Sequence, residues 1–524
     1  MRPPFWLLLP LTGCNCILGQ ELPRPTLSMS KCRIWVPRTS QVEVPFTVER
    51  TSPGPLTVRA ISLPDGVTAS DVVLGNDESS GSLVLTASSS STLAATSEAT
   101  FELRENLQID DQTTATVGVS GLPGTLDTTW GTDGVVTLPP LGYPTSSYVI
   151  DIDSQGRVLV GGRMVESEAV VDLVIARYLP DSGALDTTFG SQHVGYIVVY
   201  PRASDGSVLT YPVGLRVDTQ DRVLLANERN DPQQHCVGEV RRWTANGGPD
   251  KFTPYSDQVN GTGYSGAATG LVLEPDGQIV LLAWWNYDGG VETLLQTLEP
   301  DGLPESTYHI TLEPGTLSSQ HFTQMYDVAM DDRGGFVLGG RQYSGSNWAA
   351  GNGPIDGAIA RVGADGLRDT SFGTNAYVSF DPSIVTLVWG VAIDPVTKSI
   401  IGVGSSADAK LSPIVRLDGI TGEAAGFGHI AVDACHGGAS QGLTQVMVDC
   451  RSRIIATGPC SKDALPNIGT VRTSIDGVVD AHFGSAGGVM FVAGDPRGAK
   501  LAPDERIYVV GDSGTNAAVW RFWP

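Results

Sequence analysis

SYVIDIDSQGRVLVGGR (147–163) is the stretch that decides how this chain folds. An alternating apolar strand runs into a polar turn at Asp153–Gly156, and a second strand rich in Val and Leu follows and ends in glycine. Near-copies recur as PVGLRVDTQDRVLLANE (212–228), ATGLVLEPDGQIVLLAW (268–284), MYDVAMDDRGGFVLGGR (325–341), VWGVAIDPVTKSIIGVGS (388–405), LTQVMVDCRSRIIATGP (443–459) and PRGAKLAPDERIYVVGD (496–512). Aligned on Arg157, the equivalent positions are Arg222, Gln278, Gly335, Ser399, Arg453 and Arg506, at steps of 65, 56, 57, 64, 54 and 53 residues. A unit of this size cannot bury its own apolar face, so copies must stack on one another.

Two further signatures accompany the hairpin. One precedes several copies: GTLDTTWGTDGVV (124–136), GALDTTFGSQHVG (183–195), GLRDTSFGTNAYV (366–378) and GVVDAHFGSAGGV (477–489). The other follows it: DLVIARYLPD (172–181), GAIARVGADG (357–366), PIVRLDGITG (413–422) and NAAVWRFWP (516–524). The fixed order of the three, over Gly124 to Pro524, resembles the delta-60 repeat family. In copies two and three, Asp250-Lys251-Phe252 and Leu303-Pro304-Glu305 replace the LD-FG element. Four strands per copy, seven times, predict a seven-bladed β-propeller over 124–524, with an open solenoid as the alternative. The uncapped ending VWRFWP favours closure.

The recurrent Asp153 and Gly156 suit a tight turn, and Trp130, Phe189, Phe372 and Phe483 are expected to pack between blades. A residue repeated in every copy serves the copy; a single site would use residues that break the repeat. The segments that do so are Pro201–Tyr211, Asn227–Cys236, Trp284–Gly290, Tyr343–Asp356 with Trp348, and Ala434–Gly442, all expected as loops.

Residues 29–120 have a different texture. Short alternating strands such as VEVPFTVER, LTVRAIS and ATFELR are separated by Pro, Gly and Ser turns, and predict an immunoglobulin-like β-sandwich. Leu63-Pro64-Asp65-Gly66-Val67-Thr68 resembles a segment common in bacterial immunoglobulin-like domains. The expected fold class is thus all-β throughout.

The chain opens MRPPFWLLLPLTGCNC. Leu11, Thr12, Gly13 and Cys14 resemble a bacterial lipobox, which implies a signal peptide over 1–13, cleavage before Cys14 and lipidation of that thiol. An ordinary secretory signal is the alternative reading. Residues 14–28 would then be a tether. The partner expected from this end is a membrane, held through a lipid anchor and not crossed, at the bacterial cell envelope and more readily the outer membrane than the inner.

Six cysteines remain if Cys14 carries lipid, and an oxidising compartment favours disulfides. Cys450 lies in a turn and Cys460 beyond the end of the following strand, roughly 20 Å apart, against about 5.5 Å for a disulfide. Cys435 precedes the partner strand and can fold back, which predicts Cys435–Cys460. Cys16–Cys32 is a second pairing to consider.

Hydrophobic residues make up 41% and the formal charge is −24, so the chain is globular and unsuited to neutralising nucleic-acid phosphates. The acidity reads as solubility, or as divalent-cation binding. Gly261, Gly263 and Gly266 match a dinucleotide motif, and Gly438, Ser440 and Gly442 a nucleophile elbow, but neither has the strand-to-helix context its chemistry needs. No metal site, cofactor or catalytic residue is predicted. Three functions stand open: a non-enzymatic lipoprotein whose propeller binds a protein or glycan, a propeller lyase or hydrolase with its site at the central channel, and a purely structural envelope component.

Overall fold

The structure, a computed structural model, describes residues 24–524 apart from 106–107, 139–140, 168–169, 201–207, 231–235, 253–254, 257–265, 288–289, 311–321, 344–354, 375 and 485–487. The signal stretch, Leu11, Thr12, Gly13, Cys14, Cys16, His235 and Trp348 lie outside the described residues. All elements among the described residues are strands. No helix among them is long and apolar enough to cross a membrane. They form two compact units that part between Val119 and Ser120.

In the first unit, two sheets enclose one apolar core. One sheet orders Thr26–Met29, Gln41–Glu49, Ser80–Ala87 and Val67–Ala69; the other orders Ile34–Pro37, Gln108–Ser120, Thr96–Glu105, Leu56–Ile61 and Val72–Leu74. Alternation sends Val44, Phe46 and Val48 inward against Val58, Phe101 and Val117. The strand Thr26–Met29 begins inside the stretch expected as a tether, because Leu27 is apolar and buries itself in this core.

The second unit turns each quoted hairpin into the first two strands of a four-stranded group. The first group runs Thr145–Ile152, Val158–Ser167, Val170–Tyr178 and Tyr196–Val199 in sequence order. Further groups begin at Val208–Val217, Gly266–Leu273, Phe322–Met330, Leu387–Ile393 and Gln445–Val448. The third and fourth are joined by a single parallel pairing, Val291 with Phe322. The closing sheet draws on both ends of the unit: Asp495–Leu501, Ile507–Ser513 and Asn516–Phe522 are completed by Val135–Thr137, with Val135 opposite Trp520. That pairing covers an edge that would otherwise offer unpaired amides.

Apolar contacts run as a circuit. Leu159 and Ile175 pack on Leu215 and Leu225, Leu224 on Leu271, Leu282 on Leu338, Ile359 on Val388, Ile401 on Ile454 and Ile455 on Val509. Val510 and Val519 of the closing sheet return to Val160 and Val174 of the first group. Each sheet is covered on both faces, which explains why the strands read as nearly continuous apolar runs.

The recurrent residues build this circuit. Asp153 accepts from the amides of Gln155 and Arg157 and pairs with the Arg157 guanidinium at 2.5 Å, while Gly156 takes a φ of +76° to close the turn. Asp218 and Asp449 do the same for Arg222 and Arg453. On the third strand, Arg177 pairs with Asp186 at 2.8 Å, lies 4.6 Å from the Phe189 ring centre and donates to the Ala245 carbonyl of the next group. Phe189, Phe372, Phe483 and Trp130 are fully buried between sheets. Copy two keeps this arrangement despite its altered sequence: Arg242 pairs with Asp250 at 2.5 Å, lies 4.7 Å from the Phe252 ring centre and donates to Pro300. Copy three loses it, with Thr297 opposite Val280 where the arginine stands elsewhere.

In four of the segments expected as loops the described residues are all strand: 208–211, 227–230 and Cys236, 284–287 and Gly290, and Tyr343 with 355–356. Asn227–Asn230 and Trp284–Tyr287 continue Val223–Asn230 and Ile279–Tyr287, paired through to Cys236 and Gly290. Aromatic residues favour strands, and the partner strand extends equally far. A disulfide joins Cys435 to Cys460, Cα atoms 5.4 Å apart. Cys460 lies on Ile454–Lys462, opposite Ser440 and Asn467.

Candidate functional site

The first strand of most groups slips register once. The slip leaves Tyr148, Thr269, Tyr326, Trp389 and Arg497 as the extra residue of a bulge. The second group slips on either side of Pro212, which leaves Val213 in the same place. In the sixth, the Thr444 amide donates to Thr457, which is already the register partner of Gln445. Each of these seven residues lies nine positions before its equivalent of Arg157, or ten for Trp389 because its turn is longer by one. All seven line one cavity of about 1150 Å³. A bulge re-aims a side chain, and here the re-aimed position is the one whose identity changes from copy to copy.

The glycine ending the second strand is the counterpart of the bulge. A Cβ at Gly162, Gly340, Gly404 or Gly511 would collide with the carbonyl of Ser146, Gln324, Leu387 or Asp495, the residue two before the bulge. The residue after that glycine supports the bulged side chain. Arg163 lies 5.5 Å from the Tyr148 ring centre, Arg341 lies 5.7 Å from that of Tyr326, Ser405 accepts from Trp389 Nε1 at 2.9 Å, and Asp512 sits 3.7 Å from Arg497.

Two aromatic clusters result. In one, Tyr148 and Tyr211 meet edge to face at 5.6 Å, and the Arg163 guanidinium lies 4.6 Å from the centre of Tyr211. Tyr211 remains 42% exposed, so part of its ring faces solvent. Arg163 Nε is buried without a hydrogen-bond acceptor. In the other, Tyr326 and Trp389 tilt together at 4.9 Å, and Gln324 accepts from Tyr326 Oη at 2.6 Å and from Arg341 at 2.9 Å. Gln441, Gln445 and Ser461 add neutral polar groups to the lining.

The charged groups are mostly paired. Lys500 meets Asp151 at 2.7 Å, and Arg497 meets Asp495 at 2.7 Å. Burial pushes the Asp512 carboxyl up, more than the Arg497 charge beside it pulls it down. Burial likewise raises Asp327 against the Val391 and Val328 amides and the Arg216 charge, and it raises the Tyr148 phenol. The antiparallel order puts the Asp-Gly turns at one end of the groups and the bulges at the other.

The nucleophile-elbow match is ordinary structure. The Ser440 hydroxyl exchanges a hydrogen bond with Ser412 at 2.7 Å and accepts from the Gly442 amide. Sequence reasoning missed Tyr148, Arg163, Tyr326, Trp389 and Arg497. For all but Arg163 the signal was present as the column of changing residues nine before the turn arginine, or ten for Trp389; Arg163 stands six after it. Of the repeat-breaking segments, Pro201–Tyr211 contributes Tyr211 to the cavity lining, Asn227–Cys236 contributes Glu228, and Ala434–Gly442 contributes Gln441.

A family model described as "Domain of unknown function (DUF5122) beta-propeller" matches residues 154–189, the first turn through the first LD-FG element. No curated protein matches the chain by sequence. Among solved structures, the extracellular domains 1–2 of Drosophila semaphorin 1a share 10% identity over 73% of this chain and 86% of that one, with a TM-score of 0.35. The Hadza microbial sialidase Hz136 shares 9% over 95% and 99%, also at 0.35. The β-xylosidase/α-arabinofuranosidase CoXyl43 from a compost microbial metagenome shares 11% over 61% and 96%, at 0.28. Likenesses this distant speak neither for an activity nor for a ligand. Four-stranded groups in a circuit, closed by Val135–Thr137 and matched at 154–189, make the second unit a β-propeller.

Proposed function

We propose that this chain is a non-enzymatic bacterial envelope lipoprotein, anchored through Cys14, whose propeller binds a glycan at the bulge end of its channel. The propeller has seven blades on this reading, one per quoted hairpin, and the first unit is an immunoglobulin-like spacer. One observation carries the binding site: the variable column at the bulge converges on one cavity and supplies it with Tyr148, Tyr326, Trp389 and Arg497. Rigid strands hold these side chains, so little ordering is needed on binding. Aromatic faces beside amide and hydroxyl groups suit a sugar, with its apolar ring face and polar rim.

The test is binding of a glycan panel by the full chain and by the triple variant Tyr211→Ala, Tyr326→Ala, Trp389→Ala. Saturable binding lost in the variant is expected. Binding retained by the variant overturns the site. For the anchor, Cys14→Ala should release the protein from membranes, and retention without lipid labelling contradicts lipidation.

A second reading, a propeller lyase or hydrolase, is favoured by one observation. Burial raises Asp512 and Tyr148 at the same mouth, and perturbed titrations cluster at catalytic centres. New reducing or unsaturated ends released from a bound glycan would select it.

A further inference from the structure

We propose that the ligand of the channel mouth is an acidic oligosaccharide, held by a carboxylate on Arg163 with sugar rings against Tyr211 and the Tyr326–Trp389 pair. This deepens the glycan-binding reading above and rests on it.

Arg163 is unlike the other cations of the mouth. Arg497 is engaged by Asp495 and Asp512, Lys500 by Asp151, Arg341 by Gln324, and Arg216 by the Leu215 carbonyl and the charge of Asp327. Arg163 has no carboxylate partner among the described residues. Its guanidinium instead lies near two phenol rings, 5.5 Å from Tyr148 and 4.6 Å from Tyr211. A chain with a formal charge of −24 has ample carboxylates to pair every arginine, so one left against aromatic rings stands out. Stacking fixes the guanidinium plane and leaves its edge to meet an incoming carboxylate as two parallel hydrogen bonds. The Glu166 carboxylate, three residues on, is directed to Tyr143 Oη at 2.8 Å.

The copies place this arginine by a rule. It occupies the position that supports the bulged residue, held elsewhere by Glu228, Trp284, Arg341, Ser405, Pro459 and Asp512. Only Arg163 and Arg341 place a cation there, and Arg341 is engaged by Gln324. A sugar acid fits better than an acidic peptide. A peptide run of carboxylates calls for several unengaged cations, whereas the mouth offers one beside aromatic faces and the neutral groups of Thr269, Thr444, Gln441 and Gln445.

The experiment titrates the full chain with uronic-acid oligosaccharides and with the same oligosaccharides after carboxyl reduction, which keeps the sugar rings and removes the charge. The uronates should bind at least about ten-fold more tightly than their reduced forms, and added salt should narrow the gap. Arg163→Gln should cost the uronates about ten-fold and leave the reduced forms unchanged, and Arg163→Lys should restore part of the loss. Lysine keeps the charge without the planar fork, so its partial rescue separates recognition from a folding defect. Equal affinity for the acidic and reduced sugars overturns this inference and leaves the glycan reading standing. Binding of a glutamate-rich peptide with neither sugar form bound overturns both.

Discussion

Gly404 lies directly beneath the carbonyl of Leu387, so close that a methyl group on Gly404 would collide with it. Leu387 is two residues before the bulged Trp389, and Ser405, next after the glycine, accepts the Trp389 indole hydrogen bond. Where the repeated hairpin carries this glycine, it is the space into which the bulge folds, and the bulge is what turns the variable side chain to the cavity.

It follows that Gly404→Ala should destabilise the protein by about 1–3 kcal/mol, the usual cost of forcing extra volume against a rigid neighbour. The third group carries Ala283 at this position, opposite Ala268 where the register slips at Thr269, and there Ala283→Gly should cost no more than about 1 kcal/mol, the usual loss on replacing Ala by Gly within a strand. Urea midpoints of the two variants check the contrast. Equal effects would contradict the link between glycine and bulge.

Arg521 ties the end of the chain to its beginning in the propeller. It pairs with Asp127 at 2.8 Å and donates to the Pro180 carbonyl of the first group at 2.5 Å, with Asp127 fully buried. Arg521→Met should cost about 3–5 kcal/mol, because Asp127 loses a partner inside the fold. Asp127 keeps Arg506 at 3.0 Å, so the double variant Arg521→Met, Asp127→Asn should recover part of the loss. Urea unfolding of the three proteins measures it, and strict additivity would count against the pairing.

Low pH should act through the same kind of pair. Burial alone would raise Asp186 and Asp480, but hydrogen bonds and the Arg177 and Arg472 charges outweigh it and hold both carboxyls below the ordinary range. Their contribution is complete above the unfolded value of about 3.9 and is lost as pH falls through their folded values. Asp480→Asn should therefore lose less stability than the wild type between pH 6 and pH 3. An identical loss in urea midpoint would show that the pair does not govern acid sensitivity.

The Cys435–Cys460 bridge closes a loop of sequence separation 25. Replacing both cysteines by serine should cost about 3 kcal/mol if the constraint acts on the unfolded chain. Thermal unfolding with and without reductant gives the comparison. A midpoint unchanged in the serine variant would leave the bridge without a stabilising role.

The fold was legible where one residue type does one local job in every copy. Asp153 caps its own turn, and Phe189 is large and apolar beside a glycine, so spacing alone revealed both. The bulge was hidden because register belongs to two strands at once, and Tyr148 reads as an ordinary outward residue until Ser147 is seen opposite Gly162 and Val149 opposite Gly161. The reach of Arg177 to Ala245 was hidden for a related reason, since it joins residues 68 positions apart in sequence. Trp284–Tyr287 was misplaced as loop because aromatic runs suit either setting and the partner strand decides.

The central claim is that function lies in the variable column and not in the repeated residues. Hydrogen exchange of the full chain, with and without a bound uronic-acid oligosaccharide, tests it most directly. Protection should gather at the bulge end, at 145–149, 211–214, 324–327 and 387–390, and leave the Asp-led turns at 153–157, 218–222 and 449–453 unchanged. Protection centred on those turns, with the bulge end unaffected, would contradict the account.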